Sequence, residues 1–120
     1  MTADPFQDRL TRVRDRFATS LTAKIDDTCA AIPHLSALNP GAAATVEDAF
    51  RSVHGMVGVG PTVGFPATGQ AARDVADVLR QPRQDKRGLT ADEISRLTKT
   101  LQTLREAAAR ELRSFGSVQQ

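Results

Sequence analysis

Apolar residues recur every three or four positions along almost the whole chain, and this spacing limits the possible folds more than any other feature of the sequence. It is the period of one face of an α-helix, whereas a half-buried β-strand shows strict alternation of apolar and polar residues. Runs of β-branched residues with that alternation are absent from the sequence. The pattern therefore predicts an all-α protein.

Four segments with such a stripe are predicted to be helices, covering residues 5–32, 42–60, 65–81 and 90–115. The first has Asp4 as its N-cap and Pro5 at its first helical position, where the missing N–H of proline loses no hydrogen bond. Pro33 is expected to end this helix, because proline disfavours helical geometry at the residue before it. A loop at residues 34–41 then leads to the second helix.

The last two helices have local signals of their own. The third is expected to stop before Pro82, which leaves residues 80–88 as a polar loop. That loop holds a basic run, interpreted as solvated surface with attraction of an acidic partner as the alternative, formed by Arg80, Arg83, Lys86 and Arg87. Thr90 and Glu93 form a capping box at the start of the fourth helix. Short loops between amphipathic helices predict an antiparallel four-helix bundle, with residues 1–120 as a single domain.

Composition and charge exclude several classes of protein. A net charge of +2, with five Phe and neither Tyr nor Trp, argues against a nucleic-acid platform, which needs a basic surface and stacking aromatics. No apolar run approaches the ~20 residues needed to span a bilayer, and the first residues lack the layout of a signal peptide. The single cysteine, Cys29, cannot form an intramolecular disulfide or a Cys-based zinc site. We therefore expect a cytoplasmic protein without membrane or nucleic-acid contacts.

The second predicted helix carries a histidine at the edge of its apolar face. That face is formed by Val46, Phe50, Val53 and Val57. At 100° per residue, His54 lies between this face and a polar flank, so we expect an exposed imidazole beside buried apolar residues. Gly55 and Gly58 lie next to it, although a glycine inside a helix costs about 1 kcal/mol relative to alanine. A bare backbone would let a bulky partner reach the imidazole; close helix–helix packing around a boundary histidine is the alternative, and the spacing alone leaves both open.

Other catalytic signatures are missing from the sequence. It contains no HExxH zinc motif, no Walker loop and no GxSxG nucleophile turn. Carboxylate–histidine pairs three or four residues apart on an inward helix face, which hold metals in bundles, are also absent. His34 follows Pro33 in the predicted loop and has no ligand partner at a useful spacing. A small helical enzyme or metal-binding protein is therefore the weakest of the candidate functions.

Residues 53–66 carry a specific pattern around the second histidine. His54 is followed four positions later by Gly58 and ten positions later by Gly64. This spacing, together with the Gly-Phe-Pro-Ala that begins at Gly64 and the Ala-Ala-Arg at residues 71–73, resembles the core of a histidine-containing phosphotransfer (HPt) domain. The number and order of the predicted helices agree with that family over nearly the whole chain.

The resemblance implies a four-helix bundle in which an exposed histidine carries a phosphoryl group. Nε2 of His54 would accept that group from a histidine kinase or a receiver aspartate and pass it to another receiver domain in two-component signalling. Such a protein is a phosphorelay intermediate rather than an enzyme that turns over a free substrate. It needs no cofactor of its own, because Mg²⁺ is held in the acidic pocket of the receiver. The implied partners are a response-regulator receiver domain, a hybrid histidine kinase or both, and the resemblance favours a monomer over a dimer.

The resemblance also implies roles for the residues around the histidine. Gly58 would leave room for the receiver and the phosphoryl group, and Gly64 would shape the turn between two helices. The sequence departs from the family at Val57, where many members have lysine, and at Gly55, where they have a larger or polar residue. Arg51, one turn before the histidine, is a candidate for the missing positive charge, with a solvated surface arginine as the alternative. The missing lysine keeps a second function open, a non-catalytic helical module that binds a kinase or receiver as a regulator.

Overall fold

The computed structural model describes residues 5–119 of the chain, and the side chains of residues 5–115. Its helices are α1 (Pro5–Ala30), α2 (Ile32–Leu35), α3 (Ala42–Val59), α4 (Pro66–Gln84) and α5 (Ala91–Gln119). A 3₁₀ turn (Pro61–Val63) connects α3 to α4, and an isolated β-bridge pairs Ser36 with Leu89. The predicted all-α class is confirmed, because residues 5–119 contain no β-strand.

Successive long helices run in opposite directions. Arg83, near the end of α4, contacts Glu47 near the start of α3. Glu111, in the second half of α5, contacts Thr68 at the start of α4. The remaining long helix, α1, packs against α3 and α5. This arrangement confirms the predicted antiparallel four-helix bundle, to which the structure adds the short helix α2.

The core of the bundle receives apolar side chains from every long helix. Its most deeply buried members are Leu21, Ile25, Val46, Val53, Met56, Phe65, Leu79, Leu97, Leu101 and Leu104. The central helix is α4, which packs against both α3 and α5 and so buries residues on two sides. Each apolar side chain removed from water contributes roughly 1.5–3 kcal/mol to folding. The burial holds α3 rigidly against α4 and presents the opposite side of α3 to solvent.

The start of α4 is capped by a side chain from another helix. Glu111 of α5 accepts hydrogen bonds from the backbone N–H of Ala67 at 3.0 Å and of Thr68 at 2.7 Å. The hydroxyl of Thr68 donates to the same carboxylate at 2.7 Å. A carboxylate at this end also complements the positive pole of the helix dipole. The cap fixes the point where the chain turns from α3 into α4.

The predicted end of the first helix is wrong by two residues. α1 ends at Ala30, and after one turn residue the chain forms α2, so the loop predicted for residues 34–41 starts too early. Pro33 lies in the first turn of α2, where its missing N–H is not needed. The reason is tertiary: the extra turn places Leu35 in the core, where it is fully buried. The predicted N-cap, Asp4, lies outside the described residues.

The predicted end of the third helix is also wrong. α4 continues through Pro82 to Gln84, so the first part of the loop predicted at residues 80–88 is helical. Pro82 lies in the last turn, where its missing N–H removes one hydrogen bond, and its ring is buried against the core. That burial offsets the local penalty. As a result Arg83 is held on the surface of the bundle beside α3.

The end of α3 and the start of α5 follow the predictions more closely. α3 ends at Val59, and the N–H of Gly60 still donates to the carbonyl of Met56 at 2.9 Å. The capping box is confirmed: Thr90 N–H donates to Glu93 at 2.9 Å, and Glu93 N–H donates to the Thr90 hydroxyl at 3.2 Å. The predicted end of the fourth helix is wrong by four residues, because α5 runs past residue 115 to Gln119.

Candidate functional site

His54 lies on the solvent side of α3, five residues before its end at Val59. The predicted exposure of His54 and burial of Phe50 and Val53 are confirmed. The prediction that Val57 is buried is wrong, because this side chain is only half-buried. Met56, three positions after Val53, takes the inward position instead and is 2% exposed. The buried face of α3 therefore continues through Met56 and not through Val57. The side of α3 that follows His54 is more exposed than predicted.

The imidazole of His54 is stacked on an aromatic ring from the preceding turn. Its ring centre lies 5.5 Å from that of Phe50, with the two planes 15° apart. Residues four apart on a helix are surface neighbours, so the contact is a direct consequence of the sequence spacing. Stacking covers a face of the imidazole. It leaves the ring edge, which carries both nitrogens, uncovered by Phe50.

The two glycines beside the histidine border open space. A Cβ atom added at Gly55 or Gly58 would meet no atom within 4 Å outside the local helix backbone. The alternative that these glycines serve close helix–helix packing is therefore wrong. Each glycine costs about 1 kcal/mol of helix stability relative to alanine. No close packing contact at either position offsets this cost. What the glycines do is keep the surface next to the imidazole bare.

The glycines that follow α3 are different, because the fold does require them. Gly64 has φ +94°, a left-handed conformation that side-chain-bearing residues rarely adopt, and it ends the 3₁₀ turn as expected for a turn residue. At Gly69 an added Cβ would lie 2.7 Å from the ring of Pro61. Sequence reasoning missed Gly69, although a glycine on a strongly amphipathic helix is a sign of close packing. Gly64 therefore allows the chain to turn after α3, and Gly69 allows Pro61 of that turn to pack closely against α4.

A cluster of charged groups lies on α3 one to two turns before the histidine. Glu47 accepts hydrogen bonds from Arg83 of α4, at 2.5 Å from Nε and 3.4 Å from Nη2. Arg51 lies 3.7 Å from the same carboxylate, and its side chain is 73% exposed. The hydrogen bond from Arg83, assisted by the positive charges of both arginines, lowers the pKa of Glu47. Arg51, the predicted substitute for the missing lysine, is thus a solvated partner of Glu47.

Arg83 is a residue of this region that sequence reasoning missed. Its guanidinium carbon lies 4.4 Å from the centre of the Phe50 ring, the same ring that stacks on His54. The sequence predicts a loop at Arg83, because Pro82 is expected to end the helix before it. The buried stripe Val75–Leu79, which Pro82 extends at helical spacing, is the signal that could have assigned Arg83 to the helix.

The two other arginines of the predicted loop pair with carboxylates elsewhere in the fold. Arg80 pairs with Asp77 on its own helix at 2.6 Å. Arg87 binds Glu93 at the start of α5 at 2.8 Å, and this contact raises the pKa of Arg87. The interpretation of the run as a simple solvated loop is therefore wrong for Arg87, which secures the connection between α4 and α5.

Neither a metal site nor a membrane-spanning helix is found among the described residues. Within the described residues no group of three or more His, Cys, Asp or Glu side chains is placed to hold a metal ion. None of the described helices combines the length and hydropathy needed to cross a membrane. The arrangement that remains is an exposed imidazole stacked on Phe50 with a free edge, and the next turn of the helix exposes Gly55 and Gly58 beside it. Such a group can act as a nucleophile toward a reactive centre on a large partner.

Comparison with known proteins gives one match. The model of the family described as Hpt domain matches residues 12–107 of the chain. This range contains all of α3 and α4, with His54 near its middle, and leaves out the last turns of α5. No curated protein and no solved structure matches the chain.

Proposed function

The chain belongs to the Hpt domain family, whose members are phosphocarrier modules of two-component signalling, and on that premise we propose that His54 is its phosphoryl-carrying residue. The observation that carries this proposal is the open surface beside the imidazole. His54 is exposed, and the backbone next to it at Gly55 and Gly58 borders open space. A receiver aspartate lies in a pocket, so the imidazole can reach it only where the helix carrying it presents no bulky neighbours.

The proposed step is in-line transfer of a phosphoryl group between an aspartate and the imidazole. The lone pair of Nε2, in the tautomer with a proton on Nδ1, attacks the phosphorus of the receiver's aspartyl phosphate. The N–P bond forms as the P–O bond to the aspartate breaks, and the carboxylate leaves with the electron pair. The phosphorylated ring then releases a proton to solvent. Mg²⁺ bound by the receiver would neutralise the developing charge, so no cofactor is needed from this chain.

The proposed partner is a response-regulator receiver domain, a hybrid histidine kinase or both. The face that would dock it contains His54, Gly55, Gly58 and the partly exposed Val59. Arg51 lies at its edge and adds positive charge. In this proposal the protein acts in the cytoplasm as a monomer and binds neither nucleic acid nor membrane, as its small net charge of +2 and its scarcity of aromatic residues suggest.

A second function shares the same fold. The chain lacks the lysine that many relatives carry three residues after the histidine, and the half-buried Val57 occupies that position. If the missing charge abolished transfer, the protein would be a non-catalytic module that binds a kinase or receiver as a regulator. Binding would then occur without any covalent modification of His54.

The test is phosphoryl transfer from a panel of phosphorylated receiver domains to the wild type, to His54→Gln and to His34→Gln. The chain has two histidines, and His34 in α2 is also exposed, which makes it the matched control. We expect label on the wild type and on the His34 variant, stable to base and labile to acid, and none on the His54 variant. Tight receiver or kinase binding without label on any of the three would favour the regulatory module instead.

A further inference from the structure

We propose that Arg83 of α4 is a positioning residue for His54 and acts through the ring of Phe50. The proposal rests on the proposed function of His54 and adds a second helix to the site. Four side chains contact one another in series and are called the Arg83 stack here: Glu47, Arg83, Phe50 and His54.

The first contact in the stack fixes the guanidinium. Arg83 donates from Nε and Nη2 to the two carboxylate oxygens of Glu47, at 2.5 and 3.4 Å. A two-point contact sets the plane of the guanidinium as well as its position. Both side chains are only partly exposed, Arg83 by 41% and Glu47 by 34%. Arg83 therefore loses much of the freedom that a solvated arginine retains.

The second contact transmits that order to the aromatic ring. The guanidinium carbon is 4.4 Å from the ring centre of Phe50, within the range of a cation–π interaction. Phe50 is 8% exposed, so the core holds it from one side while Arg83 holds it from the surface. Arg83 thus contacts Phe50 from the surface and belongs to α4. It can be replaced without opening the core.

The third contact sets the plane of the nucleophile. An exposed histidine on a helix has several side-chain rotamers available, and stacking on Phe50 at 5.5 Å and 15° favours the ones with parallel rings. Holding a nucleophile in a reactive orientation before its partner arrives removes an entropic part of the barrier to transfer. A group that acts only by orientation should change the rate of transfer more than the affinity for the receiver.

A spectroscopic test examines the stack without reference to phosphotransfer. The ring protons of His54, assigned by NMR with the His54→Gln variant, should be shifted upfield in the wild type by the stacked Phe50. Phe50→Leu gives the shift of the unstacked imidazole. We expect Arg83→Ala to move the His54 signals at least halfway to the Phe50→Leu values. Arg96→Ala, which removes an exposed arginine from α5, should leave them unchanged.

A kinetic test examines the role of the stack in transfer. At saturating phosphorylated receiver, we expect Arg83→Ala to lower the single-turnover rate about tenfold and to change the receiver Kd less than twofold. Arg83→Lys should recover less than half of the lost rate, because an ammonium cannot bind Glu47 at two points while lying flat on Phe50. Arg96→Ala should transfer at the wild-type rate.

The outcomes separate this inference from the proposed function. Unchanged His54 signals or an unchanged rate in Arg83→Ala would overturn the positioning role while leaving His54 as the carrier. Full recovery of the rate by Arg83→Lys would show that charge alone matters, which also overturns it. A wild type that accepts no phosphate would defeat the proposed function and, with it, the role of Arg83 in transfer. The NMR shifts would then still report whether the stack exists.

Discussion

At Gly58 the backbone of α3 carries no side chain, and no other part of the fold occupies the vacant space. An alanine there would favour the helix by about 1 kcal/mol, so stability within the bundle is not the reason for glycine. The position is one helical turn after His54, on the same side of α3. In the proposed function, glycine at this position leaves room for a molecule that approaches the imidazole. Filling that room with a side chain is a direct test of the proposed docking face.

We expect Gly58→Arg to lower phosphoryl transfer from a receiver at least tenfold while leaving the bundle folded. The long side chain would fill the approach to His54, but it would meet no atom of the folded chain near its Cβ. Transfer assays measure the first effect and circular dichroism the second. Asp74→Arg, an equally bulky change at an exposed position of α4, is the control. Normal transfer by Gly58→Arg would remove the steric role of Gly58.

The residues of the site differ in how far the sequence could predict them. His54, Gly58 and Gly64 follow from spacing along one segment and from the family resemblance, so they could be found without a structure. The stacking of His54 on Phe50 was also within reach, because the two lie four residues apart on one helix. Arg83 was not, since its contact with Phe50 depends on how α4 is placed along α3, and that register is fixed by core packing.

At the scale of the helices, local signals predicted starts better than ends. The Thr90–Glu93 capping box is predictable because its hydrogen bonds form within four residues. The helix ends predicted from Pro33 and Pro82 are wrong, because burial of Leu35 and of Pro82 itself outweighs the local preference. A proline in the first or last turn removes little hydrogen bonding, so tertiary contacts decide where such a helix stops.

The capping box at the start of α5 predicts a pH-dependent stability. Hydrogen bonding to Arg87, together with the N–H of Thr90, lowers the pKa of Glu93 to about 2. A lowered pKa means that the carboxylate stabilises the fold at pH values above about 4.5, and that this stabilisation is lost as the pH falls toward 2. We expect Glu93→Gln to lower the free energy of unfolding at pH 7 by about 1–3 kcal/mol and to flatten its dependence on pH in that range.

Urea unfolding at several pH values between 2 and 7 measures both effects. Glutamine keeps the size of the side chain and can still accept the N–H of Thr90, so the variant removes chiefly the ion pair with Arg87. Glu106→Gln, which alters an exposed carboxylate on the same helix, is the control and should keep the wild-type profile. If Glu93→Gln retained the same steep loss of stability below pH 4.5, another carboxylate would be responsible.

At the scale of the whole molecule, burial is unevenly distributed among the helices. α4 buries residues on two sides, between α3 and α5, whereas no side chain of α1 before Phe17 is buried. The molecule is accordingly elongated, with principal extents of 59, 24 and 18 Å. Val13, 44% exposed, lies on this outer part of α1. The proposed site on α3 is therefore backed by the closely packed pair of α3 and α4, whereas the first turns of α1 bury no side chain.

Hydrogen exchange should reveal this difference in burial between the first turns of α1 and α4. Its dependence on protein concentration reports the oligomeric state. In a monomer we expect the amides of residues 5–16 to exchange at least tenfold faster than those of the buried stretch of α4, because local opening there exposes little apolar surface. Mass spectrometry of the exchanged protein at two concentrations, tenfold apart, measures the rates. A monomer gives the same rates at both. Protection of residues 5–16 that rises with concentration would mean that a second copy covers α1, and light scattering would then give a dimer mass, against the proposed monomer.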